Sequence, residues 1–295
     1  SGYTRPAKQP LSESSVGETV FARGSAGAAV SPPLTLTFAG DAMSHRPIHD
    51  IEDYRLMFED LTPILRNDDL SFVNVESPVD PTKPPTGYPL FNTNPELVQA
   101  LVAAGFEAVS VANNHSLDQE IEGFRRTVAA IAEMRTYTGT SVSVAGHGRE
   151  LSGRTTLARS SPPRSESFAA PVEIYKRGWR IAFFAVTEFS NEWPNFGNIY
   201  PFVSVLDGSN RDDYVAFVRK HAGDYDLVIV SYHGDWVEEY KTEVRPEKRD
   251  LFYRLLDAGV HIVWGHHPHV LQPWKRVDYY GSGRAMIMSA GNFIS

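Results

Sequence analysis

Residues 255–273 read LLDAGVHIVWGHHPHVLQP, and they contain the clearest signal of the fold class. It begins within an amphipathic helix, predicted over 246–258, that Gly259 stops. The apolar run at 260–264 that follows is typical of a buried strand. Three histidines, at positions 266, 267 and 269, come directly after that strand. A helix, a buried strand and polar residues in this order predict an α/β fold with a functional site beyond the strand.

Four other predicted strands also end in residue types that bind metal ions. The strands are 34–39, 70–75, 106–112 and 226–232, and the residues are Asp41, Glu76, Asn114 with His115, and His233. Because the carboxyl ends of strands converge in α/β proteins, five such strand ends predict one shared site. Carboxylate, amide and imidazole donors without thiolate suit divalent Mn, Zn, Fe or Co, in a site for one or two ions.

The rest of the chain alternates in the same way. Helices are predicted at 56–65, 95–104, 119–134 and 213–221, a hairpin at 172–176 with 179–187, and a last strand at 284–289. Segments 78–95 and 149–171 are rich in proline or serine and are predicted to be loops. The pattern predicts one α/β domain over residues 34–295.

Composition excludes several classes of protein. A formal net charge of -8 is unfavourable for binding a phosphate backbone, so no nucleic-acid partner is expected. The chain has no cysteine, so its own residues provide no disulfide, thiolate metal site or thiol nucleophile. It also lacks the roughly 20 continuous apolar residues that span a bilayer.

Residues 1–33 differ from the rest of the sequence. They are rich in Ser, Gly, Ala and Pro and show no hydrophobic periodicity, which predicts a flexible linker. Such a linker fits behind a removed signal peptide or an anchor, and it fits a disordered cytosolic N-terminus equally well.

Each candidate residue alone also has an ordinary structural explanation. A single His115 after a strand is more often structural than a ligand, Asn114 occurs in turns, and Asp41 could cap the following segment. The His267-Pro268-His269 triplet is harder to explain in this way. Proline favours an extended residue before it, and alternate residues of an extended segment face the same side.

Six motifs, in this order, resemble the bacterial capsule synthesis family of poly-γ-glutamate proteins, the CapA or PgsA type. They are AGDAMSHR at 39–46, NVESP at 74–78, AGFEAVSVANNHSLD at 104–118, YHGDW at 232–236, the stretch at 255–273, and SAGNF at 289–293. The resemblance implies a calcineurin-like metallophosphoesterase fold, an α/β/β/α sandwich of two mixed β-sheets flanked by helices. Family members usually continue past the Gly-Asn-Phe motif, so a C-terminal continuation is expected.

The resemblance also implies a role for individual residues. The expected metal ligands are Asp41, Glu76, Asn114, His115, His233, His267 and His269, with Glu76 in the bridging position. His115 is the expected general acid, acting on the leaving group while a metal-activated water attacks, and Asp41 is the second catalytic residue. The residues expected to contact substrate are His45, Arg46, His266, Trp236 and Asn292.

Three departures from the phosphoesterase pattern affect the expected metal site. The opening aspartate-x-histidine is absent, and His45 stands four residues after Asp41 instead. Glu76 occupies the place of an aspartate, and its extra methylene would move a bridging oxygen by more than about 1 Å, enough to alter the spacing of two ions or to leave only one. The middle motif reads His-Gly-Asp-Trp where the family more often has His-Trp-Gly.

Three functional hypotheses remain open from the sequence. The first is a metal-dependent hydrolase of cell-envelope polymer metabolism that cleaves a phosphoester or an amide. The second is a non-catalytic accessory domain that binds polymer or a membrane partner, and the third is a general phosphodiesterase or nucleotidase. The resemblance further implies an extracytoplasmic location, anchored through a segment outside this chain, and a membrane-bound synthesis complex as partner.

Overall fold

The computed structural model describes residues 32–148, 168–191, 203–206, 208–235, 237, 239–279 and 281–295. The strands in these ranges are β1 Leu36–Ala42, β2 Leu70–Val75, β3 Phe106–Ser110, β4 Ser143–Ala145, β5 Val172–Lys176, β6 Trp179–Thr187, β7 Leu227–His233, β8 Ile262–His266, β9 Leu271–Tyr279, β10 Ser282–Ala290 and β11 Asn292–Ile294. The α-helices are α1 Arg46–His49, α2 Thr62–Leu65, α3 Pro95–Ala104, α4 Glu120–Glu133, α5 Arg211–Ala222 and α6 Pro246–Asp257. None of these helices is both long and apolar enough to cross a membrane.

The strands form two sheets. The first has the order β11-β1-β2-β3-β4, and its neighbouring strands are parallel. The second has the order β5-β6-β7-β8-β10-β9, with antiparallel pairs at both edges and parallel pairs between them. The predicted α/β sandwich of two sheets flanked by helices is confirmed, and the mixture of strand directions lies in the second sheet.

Alternation along the strands builds two cores. In β6, Ile181 and Phe183 face the first sheet, whereas Ala182 and Phe184 belong to the core beneath α5 and α6. Between the sheets, the ring of Phe72 packs 5.2 Å from that of Phe183. Truncating either buried ring to alanine is expected to cost about 3–5 kcal/mol of stability.

Several predicted elements occur at the predicted bounds, and one helix prediction is wrong. Strand β2, helix α3 and the β5–β6 hairpin match their predictions. The helix expected over 56–65 is instead a 3-10 helix at Tyr54–Phe58 followed by the short α2. Pro63 lacks an amide N–H and is tolerated only in the first turn of a helix, so a continuous helix cannot pass through it. Strands β4, β9 and β11 were not predicted.

Glycines let the strands approach closely where the site is formed. A Cβ on Gly40, just before Asp41, would lie 1.9 Å from the carbonyl oxygen of Gly291. A Cβ on Gly265, just before His266, would lie 2.1 Å from the carbonyl oxygen of Met288. Both strands therefore deliver their polar residues from positions where only glycine fits.

Candidate metal centre

Six of the predicted ligands lie together where the strands of both sheets end, and we call them the ligand cluster: Asp41, Glu76, Asn114, His233, His267 and His269. Donor atoms of Asp41, Glu76 and His233 lie within 4.8 Å of one another. Donor atoms of Glu76, His267 and His269 form a second group with the same spacing. Glu76 belongs to both groups, so the geometry offers two adjacent sets of donors joined by one carboxylate.

Asp41 is fully buried and is held by its neighbours at the end of β1. Asn74 Nδ2 donates to its Oδ1 over 2.9 Å, and His266 Nδ1 lies 2.7 Å from the same oxygen. The backbone N–H of His267 donates to Oδ2 over 3.3 Å. Burial raises the pKa of Asp41, but His266, His233 and the Asn74 hydrogen bond outweigh it and hold the pKa below its usual value. Asp41 is therefore a preformed anion.

Glu76 follows β2 and is also fully buried, but its environment is the opposite of that of Asp41. Neither of its carboxylate oxygens has a hydrogen-bond partner among the described residues. Burial and the nearby charge of Asp41 raise its pKa well above the usual value. Ionised Glu76 is therefore a buried charge that no described residue compensates with a hydrogen bond.

His233, at the end of β7, meets Asn114 from the first sheet. Its Nε2 lies 2.8 Å from Asn114 Oδ1 and 3.4 Å from Glu76 Oε1. Burial lowers the pKa of His233 well below the usual value. The ring is therefore neutral near pH 7, which is the form of imidazole that binds metal ions.

His267 departs from the extended conformation that the following proline predicted. Its φ is 86°, in the left-handed region, so that prediction is wrong. In this conformation its N–H reaches Asp41 Oδ2, and its ring packs edge-on against Phe189 with centroids 4.9 Å apart. Burial and the neighbouring His269 lower the pKa of His267 to about 3. A left-handed residue of this type costs about 1–3 kcal/mol and is most common at functional sites.

The chemistry of the unpaired atoms tests whether a metal fits here. Among the described residues, the buried side-chain atoms without hydrogen-bond partners include both oxygens of Glu76, both ring nitrogens of His267, Nδ1 of His269 and Oδ1 of Asn74. Buried polar atoms are normally paired, so this concentration at one place needs an explanation. Carboxylate, neutral imidazole and amide lone pairs are suited to a borderline divalent ion. The residues at this place therefore fit a divalent metal ion.

His115 lies beside the two donor groups and has partners of its own. Its Nδ1 is 2.7 Å from Asp118 Oδ2, which also accepts the backbone N–H of Phe91 over 2.8 Å. The ring of Phe91 packs edge-on against that of His115, 4.7 Å away. This arrangement leaves Nε2 as the ring nitrogen that can exchange a proton with a reacting group.

The residues expected to contact substrate occupy different positions. His45 packs edge-on against Phe91, with ring centroids 5.0 Å apart, and burial together with His115 and His269 lowers its pKa. Arg46 is exposed at the start of α1 and Asn292 is exposed beside Asp41 in the sheet register. His266 is fully buried, 4.1 Å from the ring of Trp264. Trp236 lies outside the described residues.

Four residues at this site were not among the sequence predictions: Asn74, Phe91, Asp118 and Asn191. Asp118 was detectable, because it stands three residues after His115 at a spacing that brings side chains together. The sequence signal for Asn74 was weaker: it lies at the end of the same strand as Glu76, two residues before it. Phe91 lies in the proline-rich loop and Asn191 after β6, and neither segment resembles a known site in sequence.

A second group of charged residues adjoins the ligand cluster, and we call it the ion-pair cluster: Glu188, Arg211, Asp235 and Arg245. Glu188 Oε1 lies 2.5 Å from the Arg211 guanidinium, and Asp235 Oδ1 lies 2.8 Å from that of Arg245. The backbone N–H of Asp235 donates to Glu188 Oε2 over 3.0 Å. All four residues line a cavity of about 320 Å³, and Phe189, which contacts His267, forms part of the same wall.

Comparison with known proteins gives a match over most of the chain. The family described as bacterial capsule synthesis protein PGA_cap matches residues 35–295. The capsule biosynthesis protein CapA of Bacillus anthracis is 29% identical over 272 residues, covering 88% of this chain and 59% of that protein. The PGA biosynthesis protein CapA of Bacillus subtilis (strain 168) is 28% identical over 272 residues, covering 88% and 63%. The chain thus spans about three fifths of the length of these relatives.

Two further similarities are more distant. A probable polyglutamine synthesis accessory protein of Mycobacterium tuberculosis is 26% identical over 212 residues, covering 69% of this chain and 49% of that protein. Among solved structures, a 5'-nucleotidase precursor from Thermus thermophilus aligns with a TM-score of 0.43 at 14% identity. That alignment covers 81% of this chain and 43% of the other.

Proposed function

The chain belongs to the bacterial capsule synthesis protein family PGA_cap, and we propose that it is a metal-dependent hydrolase of capsule polymer synthesis or export. The names of the two Bacillus relatives support a poly-γ-glutamate or related cell-envelope polymer as the context. The observation that carries the hydrolase is the pair of donor groups sharing buried Glu76. The proposal treats residues 34–295 as one functional unit.

The residues that would hold the ions are those of the ligand cluster. Asp41, Glu76, His233 and Asn114 would hold one ion, and Glu76, His267 and His269 the other. Bound divalent ions would supply Lewis-acid activation of water and of the scissile group. Mn, Zn, Fe and Co all accept this set of donors.

The protein's own groups would handle the proton and the geometry. Asp118 holds Nδ1 of His115, which fixes the ring and directs Nε2 toward the leaving group as a general acid. The edge of Phe91 restricts the same ring from a second side. Both the phosphoester and the amide reaction require protonation of a leaving group, so this arrangement serves either bond.

We also propose where the protein acts and what it associates with. We place the protein outside the cytoplasm, associated with a membrane-bound synthesis complex and acting on the polymer or on a small phosphoester or amide. Fractionation of cells that express the full-length protein tests the location. Recovery in the cytoplasmic fraction alone would contradict it.

Metal analysis is the first test of the hydrolase. The protein is purified without a metal-affinity tag, loaded in turn with Mn, Zn, Fe and Co, and analysed by elemental mass spectrometry. Wild type is compared with Glu76→Gln and with Glu133→Gln, a matched control at an exposed position at the end of α4. We expect up to two equivalents of bound metal per chain in wild type and in the control. Glu76→Gln should lose all bound metal.

Turnover is then measured with aryl phosphates, phosphodiesters and γ-glutamyl amides. Hydrolysis that disappears in Glu76→Gln supports the proposal and identifies the bond. A wild-type protein that takes up no metal contradicts the metal centre. Metal uptake without turnover of any of these classes favours the accessory-domain hypothesis.

A further inference from the structure

We propose that Asn191 is a positioning residue that fixes the amide orientation of Asn114 at the candidate metal centre. Asn191 follows β6 in the second sheet, whereas Asn114 follows β3 in the first. The inference rests on the proposed function, because it concerns which atom of Asn114 faces the ion. It adds a residue from a segment that carries none of the predicted ligands.

Two hydrogen bonds connect the residues. The backbone N–H of Asn191 donates to the carbonyl oxygen of Asn114 over 3.0 Å. The side-chain Nδ2 of Asn114 donates to Asn191 Oδ1 over 3.3 Å. The first bond holds the segment against the site, and the second acts on the Asn114 amide alone.

The orientation of this amide determines what Asn114 can bind. An amide has an oxygen with lone pairs at one end and an NH₂ donor at the other, and only the oxygen ligates a hard or borderline cation. With Nδ2 facing Asn191, Oδ1 lies 2.8 Å from His233 Nε2, inside the ligand cluster. A flipped amide would instead present N–H groups to the cation.

The same side chain also reaches the proposed general acid. Asn191 Nδ2 lies 3.4 Å from His115 Nε2 and can donate to that nitrogen once it has given up its proton, while His115 Nδ1 is occupied by Asp118. Asn191 therefore contacts both the proposed ligand and the proposed acid from a single position. Partners of this kind around a metal ligand typically contribute about 10- to 100-fold to metal affinity.

The position of Asn191 makes the proposal testable without disturbing the core. Asn191 is exposed, whereas Asn114 and His115 are buried. Its backbone hydrogen bond does not involve the side chain, so the leucine and aspartate variants keep the donor that attaches the segment to the site. Two variants separate the effects: Asn191→Leu removes the acceptor, and Asn191→Asp keeps an oxygen in place. Asn67→Leu, at another exposed asparagine, is the control.

The measurement is Mn²⁺ affinity by isothermal titration calorimetry, with thermal unfolding in chelator as the control for folding. We expect Asn191→Leu to weaken one Mn²⁺ site about tenfold at an unchanged melting temperature. Asn191→Asp should bind at least as tightly as wild type, and Asn67→Leu should match wild type.

The outcomes separate this inference from the proposed function. Mn²⁺ binding by wild type and equal binding by Asn191→Leu would overturn the inference and leave the metal centre intact. Absence of Mn²⁺ binding by wild type would overturn the metal centre, and the inference with it. If Asn191→Leu also unfolds at a lower temperature, Asn191→Asp decides: retained affinity supports the inference, and a tenfold loss overturns it.

Discussion

Two groups of charged residues lie side by side in this molecule and are stabilised in opposite ways. In the ion-pair cluster, each carboxylate contacts a guanidinium, Glu188 that of Arg211 and Asp235 that of Arg245. In the ligand cluster, Glu76 is more deeply buried, yet neither of its oxygens accepts a hydrogen bond from a described residue. The ion-pair cluster contains a counter-charge for each of its carboxylates, whereas in the ligand cluster no described residue donates a hydrogen bond to Glu76.

The difference is the one expected between charges that stabilise the fold and charges that bind a ligand. Removing a carboxylate from water costs free energy unless a partner compensates it. The ion-pair cluster obtains that compensation within the fold. The ligand cluster is left with a raised pKa at Glu76 and unpaired nitrogens at His267, which is the state expected of a site completed by an external cation. The two clusters should therefore respond differently to the same substitution.

The largest expected effect is that of Glu76→Gln. Loss of the shared carboxylate should lower turnover at least on the order of a hundredfold. In metal-free protein at pH 8 the same change should raise the free energy of unfolding by about 1–2 kcal/mol, because a neutral amide replaces a buried unpaired carboxylate. Urea unfolding followed by circular dichroism measures the second effect. A decrease in stability would show that Glu76 is compensated within the fold.

His261 provides a partly buried histidine whose Nδ1 has a hydrogen-bond partner within the fold. The backbone N–H of Val228 donates to its Nδ1 over 3.0 Å, and burial, with Arg284 nearby, lowers its pKa to about 4. An unfolded histidine takes up its proton near pH 6.5, so folding stability is fully present above that pH and is lost as the pH falls toward 4.

The size of this loss follows from the two pKa values. Between pH 7 and 4.5, protonation of His261 in the unfolded chain should reduce the free energy of unfolding by about 2 kcal/mol. In His261→Gln this part of the pH dependence should disappear. Urea titrations of both proteins across this range measure it, and identical slopes would contradict the prediction. Added Mn²⁺ should leave the difference between the two proteins unchanged.

Glu188→Gln tests the ion-pair cluster directly. It leaves Arg211 without its carboxylate and should lower the free energy of unfolding by about 2 kcal/mol, less than for a fully buried pair because the Arg211 side chain is 32% exposed. The change has the opposite sign to that of Glu76→Gln in metal-free protein. Urea unfolding of both variants, with and without Mn²⁺, provides the comparison. If both substitutions change the free energy of unfolding of the metal-free protein in the same direction, the two clusters are not distinct in this respect.

The smallest effect concerns the backbone at His267. At a φ of 86°, alanine is strained and glycine is not. His267→Gly should therefore be more stable than His267→Ala by about 1 kcal/mol, although both lack the imidazole and both should lose metal. Thermal unfolding of the two variants measures the difference. Greater stability of the alanine variant would contradict the left-handed conformation.

The sequence predicted those parts of the fold that local chemistry determines. Helix α3 begins at Pro95 and ends before Gly105, both strong local signals, and the β5–β6 hairpin turns through Arg177 and Gly178 at positive φ. Strands β4 and β11 have three residues each and exist only through pairing with distant strands. Strand β9 contains Pro273, which disfavours a strand except at a sheet edge, where β9 lies.

The same distinction holds at the candidate site. Asp41, Glu76 and His233 were predictable because each follows an apolar strand, and strand ends converge in any α/β fold. Asn191 was not, since its contact with Asn114 spans 77 residues of sequence and depends on how the two sheets pack. Local patterns thus predicted which candidate residues lie at the strand ends, whereas the contact of Asn191 with Asn114 depends on the packing of the sheets.

The pairing of β1 with β11 has a consequence for biosynthesis. Asp41 stands opposite Asn292 in the register, and the N–H of Met43 donates to the carbonyl oxygen of Ile294 over 2.8 Å. During translation, Asp41 and the rest of β1 therefore leave the ribosome long before β11, the strand that covers this edge of β1. In the interval the nascent chain carries an open strand edge that can recruit chaperones or pair with a neighbouring chain. The edge strand beside Asp41 is among the last parts of the described chain to be translated.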